Sequence, residues 1–310
     1  MTEPIPEIVS TGAAGKPEQL LGSAYSVVMA LLFSVVVIFA ATVDTGGRPF
    51  VMLSFRFGLA SALLFAGAAA TGRPLLPAKG ERRAVILAGT LGYATESALY
   101  FAALSHGKAG AVTLLFYVYP VWVMLATIAM DRRAPGSRLV IALGLALGGS
   151  AIVIIGGGKV EVEPLGIVLA VGCSVAYATY LVAADRTVRR TDPLTAAAWL
   201  SGGAALGNAI YSVLFHATIL PKGMHDWVRI LGMAVFSAGA FAAMLAGLRR
   251  VGALRNSIIG VLEPFTVALL AWVFLHQDVS VTTAVGGALI LTGAVLASLV
   301  RTTRLQEPNL

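Results

Sequence analysis

Cysteine is almost missing from this chain: Cys173 stands alone, so no intrachain disulfide can staple the fold. Charge is scarce too. Asp, Glu, Lys and Arg make up 12% of the 310 residues, about half the usual share. The 15 acidic residues and 4 histidines form no H-E-x-x-H and no paired-aspartate set, so a metal centre is not expected. G-x-S-x-G is absent as well. Gly156-Gly157-Gly158-Lys159 runs into Val160 where Ser or Thr is needed, and Val153 stands where a P-loop has its first glycine. These gaps exclude the familiar hydrolase and nucleotide-binding classes. The reading is therefore a non-enzyme with no cofactor, and any work it does draws on a gradient. The N-terminal segment sets Glu3, Glu7 and Glu18 against Lys16, so it lacks the basic stretch of a signal peptide.

What the chain has in excess is apolar length: 58% of its residues are hydrophobic and its mean hydropathy is +0.86. Runs long enough to cross a bilayer as helices recur throughout, whereas alternating ten-residue segments of the outer-membrane-barrel kind do not. With lipid as solvent, only helices then satisfy the backbone. The net charge of +7 comes from short basic clusters between apolar runs, not from one basic face, so nucleic acid is excluded as a partner. The expected fold class is an all-α integral membrane protein with ten transmembrane helices. They run from Leu20 to Val43, Phe50 to Ala70, Ala84 to Leu104, Ala109 to Met130 and Arg138 to Ile155, then Leu165 to Ala184, Leu194 to Phe215, Trp227 to Leu248, Ala253 to Leu275 and Val281 to Val300. Gly- and Pro-rich breaks such as Gly72-Arg73-Pro74, Pro135-Gly136 and Asp192-Pro193 separate them.

The stretch Leu104 to Pro120 recurs as Leu248 to Pro264, an offset of 144 that also superimposes Ala109 on Ala253, Leu145 on Leu289 and Gly149 on Gly293. The chain reads as one unit written twice. Its organisation is a disordered cytosolic tail 1–18, a first five-helix repeat 19–158, a second repeat 159–302 and a short tail 303–310. Five is odd, so the second copy must thread the bilayer upside down, the construction of secondary transporters. Sixteen Lys and Arg residues fall on one set of alternate loops and five on the other, with Arg56 inside a helix. Positive-inside then predicts both termini in the cytoplasm.

Glu96 lies near mid-bilayer, where an ionised carboxylate costs roughly 2.5–3.5 kcal/mol on insertion scales. Tyr93, Glu96, Ser97 and Tyr100 follow helical spacing and make one polar stripe, read as the wall of a wet cavity that takes a cationic group or a proton. A protonated Glu96 bonded between helices is the structural alternative. Glu263 sits deep beside Pro264. Pro264 deprives the Gly260 carbonyl of its helical partner, as Pro120 does for Phe116. Two copies of the same break read as hinges or gates, with Glu263 capping loose backbone as the alternative. Among the rings, Tyr117 and Tyr177 are the first choices for a solute pocket, though aromatic stripes also pack. Arg56 is expected to snorkel outward to Asp44, and His106, His216, His225 and His276 to be surface residues. Gly144 with Gly148 and Gly203 with Gly207 are expected to pack helices.

The chain resembles the drug/metabolite transporter superfamily, specifically ten-helix proteins with two EamA domains. Tyr100-Phe101-Ala102-Ala103-Leu104, Ala109 and Pro120 carry the likeness in the first half. Ala253, Pro264, Asp278 and Gly286-Gly287-Ala288-Leu289-Ile290-Leu291-Thr292-Gly293 carry it in the second. The family commonly has Glu after its fourth and ninth helices, where this chain has Ala134 and Asp278. The resemblance implies a bacterial inner-membrane exporter of amino acids or similar small metabolites, working by alternating access. Its pore would lie between the first, third, fourth, sixth, eighth and ninth helices. The tyrosines and Trp122 favour the aromatic amino-acid exporter branch. A drug or nucleotide-sugar carrier is the alternative in the same superfamily; a membrane-embedded enzyme or a scaffold is the alternative outside it. The expected partners are a small-molecule solute and the lipid bilayer, with proton coupling and uniport both open. The solute contacts are assigned to Glu96, Tyr93, Tyr100, Tyr117 and Tyr177, and gating to Pro120, Pro264 and Glu263.

Overall fold

A computed structural model describes residues 16–40, 42–43, 49–132, 134–156, 161–216, 220–221, 223–275 and 280–300. Asp44, His276, Asp278, Gly157 to Lys159 and the tails 1–15 and 303–310 lie outside them. The described residues are helical almost throughout. The first crossing is Lys16–Ala40, the second Phe50–Ala70, the fifth Ser137–Gly156, the sixth Pro164–Thr187, the seventh Pro193–Leu214 and the tenth Val281–Leu299. The third is segmented, with Arg82–Leu87 and Ala94–Leu104 joined by a π-helical turn at Ala88–Tyr93. The fourth is Ala109–Phe116 followed by Tyr119–Asp131. The eighth and ninth share the helix Met224–Gly260, which reverses at Gly252 (φ 77°, ψ 169°), and the ninth continues as Leu262–Leu275. That backbone conformation is open to glycine and strained for other residues. Seven helices, Met224–Gly260 among them, are long and apolar enough to cross a membrane. With the segmented third crossing, the seventh and the ninth, the described residues make ten crossings, and the protein is an all-α, multi-pass membrane protein. The first helix starts at Lys16, inside the stretch expected as tail, and ends at Ala40 instead of Val43.

Contacts between helix ends establish the inversion. On one face, Arg73 pairs with Asp192 at 2.6 Å, Arg186 with Asp131 at 2.6 Å, and Arg250 stacks on Tyr25. This basic face therefore gathers the starts of the first and seventh crossings and the ends of the second, fourth, sixth and eighth. On the other face, His106 meets Glu163 at 3.0 Å, Lys108 meets Glu161 at 2.8 Å, and Arg229 donates to the Thr42 carbonyl at 2.7 Å. The first crossing thus starts on the basic face, while its repeat, the sixth, starts on the opposite one. Packing obeys the same exchange: the first crossing lies on the eighth and the third on the sixth, while the second pairs with the seventh and the fifth with the tenth.

Small residues let these helices touch, since lipid supplies no hydrophobic drive between them. A Cβ on Gly149 would sit 2.4 Å from the Gly286 carbonyl oxygen, and one on Gly293 would sit 2.7 Å from that of Ala142. The two contacts are related by the repeat. Gly203 and Gly207 press on Thr90 and Ala94 as expected. Gly144 and Gly148 do not pack; they face outward with nothing within 4 Å, because the contact face is turned by one residue to Gly149.

Glu81 ties the basic face together. Its carboxylate accepts from the backbone N–H groups of Arg189 (3.0 Å), Arg190 (2.8 Å) and Thr191 (2.8 Å), and from the Thr191 hydroxyl (2.6 Å). Burial alone would raise its pKa, but the Thr191 hydroxyl and the three backbone donors outweigh burial and hold it below the ordinary 4.5. A lowered acid stabilises the fold fully above its ordinary value, and that stabilisation fades as pH falls through the depressed one. Glu81→Gln should therefore lower stability by about 1–3 kcal/mol at neutral pH. In thermal unfolding, the gap to wild type should close in the acid range below 4.5.

Candidate solute-binding site between the halves

The third crossing presents Tyr93, Glu96 and Tyr100 toward the sixth, because its π turn ends at Tyr93 and regular α spacing resumes at Ala94. Such turns are frequent at functional sites. Glu96 is 8% exposed, accepting from the Ser97 hydroxyl at 3.1 Å and facing the Cys173 thiol at 3.7 Å. The Tyr93 ring is enclosed by Phe57 at 5.3 Å, Phe241 at 5.1 Å, Tyr180 at 5.6 Å and Tyr177 at 6.3 Å. Tyr177 stands against Tyr119 at 4.8 Å and Phe116 at 5.5 Å, and Tyr117 against Phe116 at 5.3 Å. Tyr100 also reaches Phe116, at 5.7 Å, and its hydroxyl shares a 2.9 Å bond with that of Thr113. The four tyrosines expected to touch solute thus join one aromatic cluster, and Glu96 lies between Tyr93 and Tyr100 along the same crossing.

The second half contributes Glu263, which faces the Tyr117 hydroxyl; its backbone carbonyl accepts from Ser34 at 3.2 Å. Both proline-marked helices break three residues before the proline. The fourth crossing is interrupted at Tyr117 and Val118, where Val118 bonds back only to Leu115, and the ninth at Val261, which bonds back to Ile258. Tyr117 and Val261 are equivalent under the 144-residue offset. Pro120 and Pro264 are buried just beyond the breaks.

Arg56 corrects the sequence reading. It does not snorkel; it is 9% exposed, its Nε donates to the Ser237 hydroxyl at 2.7 Å, and its guanidinium lies 4.6 Å from the centre of the Phe57 ring. Tyr93, Glu96 and Glu263 are the polar groups near enough to interact with its charge. The second crossing therefore joins the helices around the site. A lone arginine in the apolar run Phe50 to Ala70 was itself the signal, set aside because Asp44 was close in sequence. Cys173 and Ser237 were also missed, being small residues that packing alone would justify. His106 and His225 are peripheral, as expected.

Glu96, Tyr117 and Tyr177 are buried, while Tyr93, Tyr100 and Glu263 are half-buried. A groove of about 460 Å³ opens nearby between the third and sixth crossings, lined by Leu87, Leu91, Gly92, Tyr180 and Ala183. Leu87 and Leu91 are exposed, so the groove faces lipid, and Tyr180 separates it from Tyr93.

Two oppositely threaded halves around a buried charged and aromatic centre define a transporter of the membrane-embedded kind. The chain belongs to the EamA-like transporter family, which matches it twice, at residues 20–155 and 164–299, and so to the drug/metabolite transporter superfamily. An uncharacterized transporter of Archaeoglobus fulgidus is 24% identical over 277 residues, covering 89% of this chain and 96% of its own. The uncharacterized transporter YcbK of Bacillus subtilis is 24% identical over 227 residues, covering 69% and 72%. A protein of known crystal structure, 23% identical, superimposes with a TM-score of 0.78 over 90% of this chain and 96% of its own, so the fold is shared.

Proposed function

We propose that this transporter exports amino acids, aromatic or apolar ones foremost, or similar small amphipathic metabolites across the bacterial inner membrane. The observation that carries the reading is the gathering of Tyr93, Glu96, Tyr100, Tyr117 and Tyr177 with Glu263, drawn from both halves around one centre. Rings with polar tips suit an amphipathic solute, and a carboxylate suits its ammonium group. Residues 19–158 and 159–302 are the halves that rock against each other, with the breaks before Pro120 and Pro264 as the hinges. The basic face is the cytoplasmic one, and both termini lie in the cytoplasm.

The test is counterflow of radiolabelled amino acids into liposomes containing the purified protein, run with and without a pH gradient. Accumulation of at least one amino acid above protein-free liposomes is the expected result, and stimulation by the gradient would add proton coupling. A protein that moves organic cations or sugars but no amino acid would overturn the reading.

A further inference from the structure

Three ionisable side chains lie within electrostatic range of one another at this centre, and none is paired as a buried ion pair ordinarily is. The ion pairs of the described residues all lie at the two faces, and Arg56, Glu96 and Glu263 are in none of them. Each is held instead by neutral groups. Arg56 rests on the Ser237 hydroxyl and the Phe57 ring, Glu96 on Ser97 and Cys173, and Glu263 faces the Tyr117 hydroxyl. In a lipid-embedded interior, opposite charges attract far more strongly than in water. A purely structural set would collapse into contact, because an unpaired buried charge is costly. Here the guanidinium and the carboxylates are within range of one another yet kept apart, with aromatic rings around them.

We propose that Arg56, Glu96 and Glu263 form a receptor for a zwitterion, with the Arg56 guanidinium taking its carboxylate and the two glutamates taking its ammonium. The apolar side chain lies among Tyr93, Phe116 and Tyr177. Arg56 is held by Ser237 through Nε and lies against Tyr93, a neutral partner that a solute carboxylate can replace at the outer fork of the guanidinium, the part suited to bidentate binding. Recognition at both ends follows: a solute lacking either charge leaves a buried group without its partner, and such loss discriminates strongly. This inference rests on the amino-acid reading above and names the residue that reads the carboxylate.

The test uses the full-length protein and three probes that differ only in charge: L-phenylalanine, phenethylamine, which lacks the carboxylate, and 3-phenylpropionate, which lacks the ammonium. Each is scored as a competitor of counterflow of the amino acid that wild type accumulates best. Wild type should prefer phenylalanine over either analogue at least tenfold. Arg56→Gln should remove the preference over phenethylamine while keeping that over phenylpropionate, and Arg56→Lys should restore part of it. Glu96→Gln should do the reverse. An unchanged phenylalanine-to-phenethylamine ratio in Arg56→Gln would overturn the proposal and leave amino-acid transport standing. Should neither Arg56 variant fold, wild type alone decides, since equal competition by phenylalanine and phenethylamine would also overturn it. If wild type accumulates no amino acid, the functional reading itself fails.

Discussion

Gly149→Leu should leave the protein unable to assemble its fifth and tenth crossings. The Cβ of any larger residue would stand 2.4 Å from the Gly286 carbonyl oxygen, and a Cβ on Gly286 would stand 2.5 Å from the Gly149 oxygen. Both obstacles are backbone, which cannot rotate aside as a side chain can. Overpacking in a well-filled core costs about 1–3 kcal/mol and sometimes more, and this contact belongs at the upper end. The helices would have to separate along their length, losing the van der Waals contact that holds them together in lipid. Gly144→Leu and Gly148→Leu are the controls, since their Cβ positions meet nothing within 4 Å. Purification in mild detergent, followed by thermal unfolding and size-exclusion profiles, separates the cases. Gly149→Leu should aggregate or unfold early while the controls behave as wild type. A monodisperse, normally stable Gly149→Leu would show that the seam is looser than its geometry.

The number of crossings and their inversion were legible because lipid imposes a length on each apolar run and an odd repeat imposes a direction on its copy. Phe50 to Ala70 was placed residue for residue. Facing was harder to read. When nearly every position is apolar, a helix has no polar side to reveal its orientation, and so Gly144 and Gly148 were chosen where Gly149 makes the contact. Glu96 and the tyrosines stood out because a polar group in an apolar run has few structural reasons to be there. Arg56 stood out for the same reason and was misplaced, since proximity in sequence to Asp44 says nothing of proximity in space. Ser237, which holds Arg56, lies 181 residues away, on the eighth crossing. The π turn at Ala88–Tyr93 left no mark beyond Gly89 and Gly92 in an apolar run. Gly89 admits the Leu200 carbonyl there, 2.4 Å from where a Cβ would be.

Glu96→Gln should cut transport at least tenfold while leaving the protein as stable as wild type or more so. The amide keeps the shape of the carboxylate and still offers an oxygen to the Ser97 hydroxyl, which now lies 3.1 Å from Oε2. What disappears is a charge buried in the membrane interior, and removing such a charge relieves desolvation. A structural Glu96 would behave differently, because the amide supplies both the donor and the acceptor of a protonated acid bonded between helices, so flux as well as stability would survive the replacement. Tenfold in rate is about 1.4 kcal/mol of transition-state stabilisation, a modest demand on an ammonium contact held away from water. Glu96→Lys sharpens the contrast by placing a second cation within range of Arg56, with Glu263 the remaining carboxylate of the centre, and should destabilise the fold as well as stop transport. Counterflow and thermal unfolding measured on the same preparations decide between the roles. Flux that survives Glu96→Gln unchanged removes this carboxylate from solute contact, whereas lost flux with retained stability ties it to the solute and not to packing.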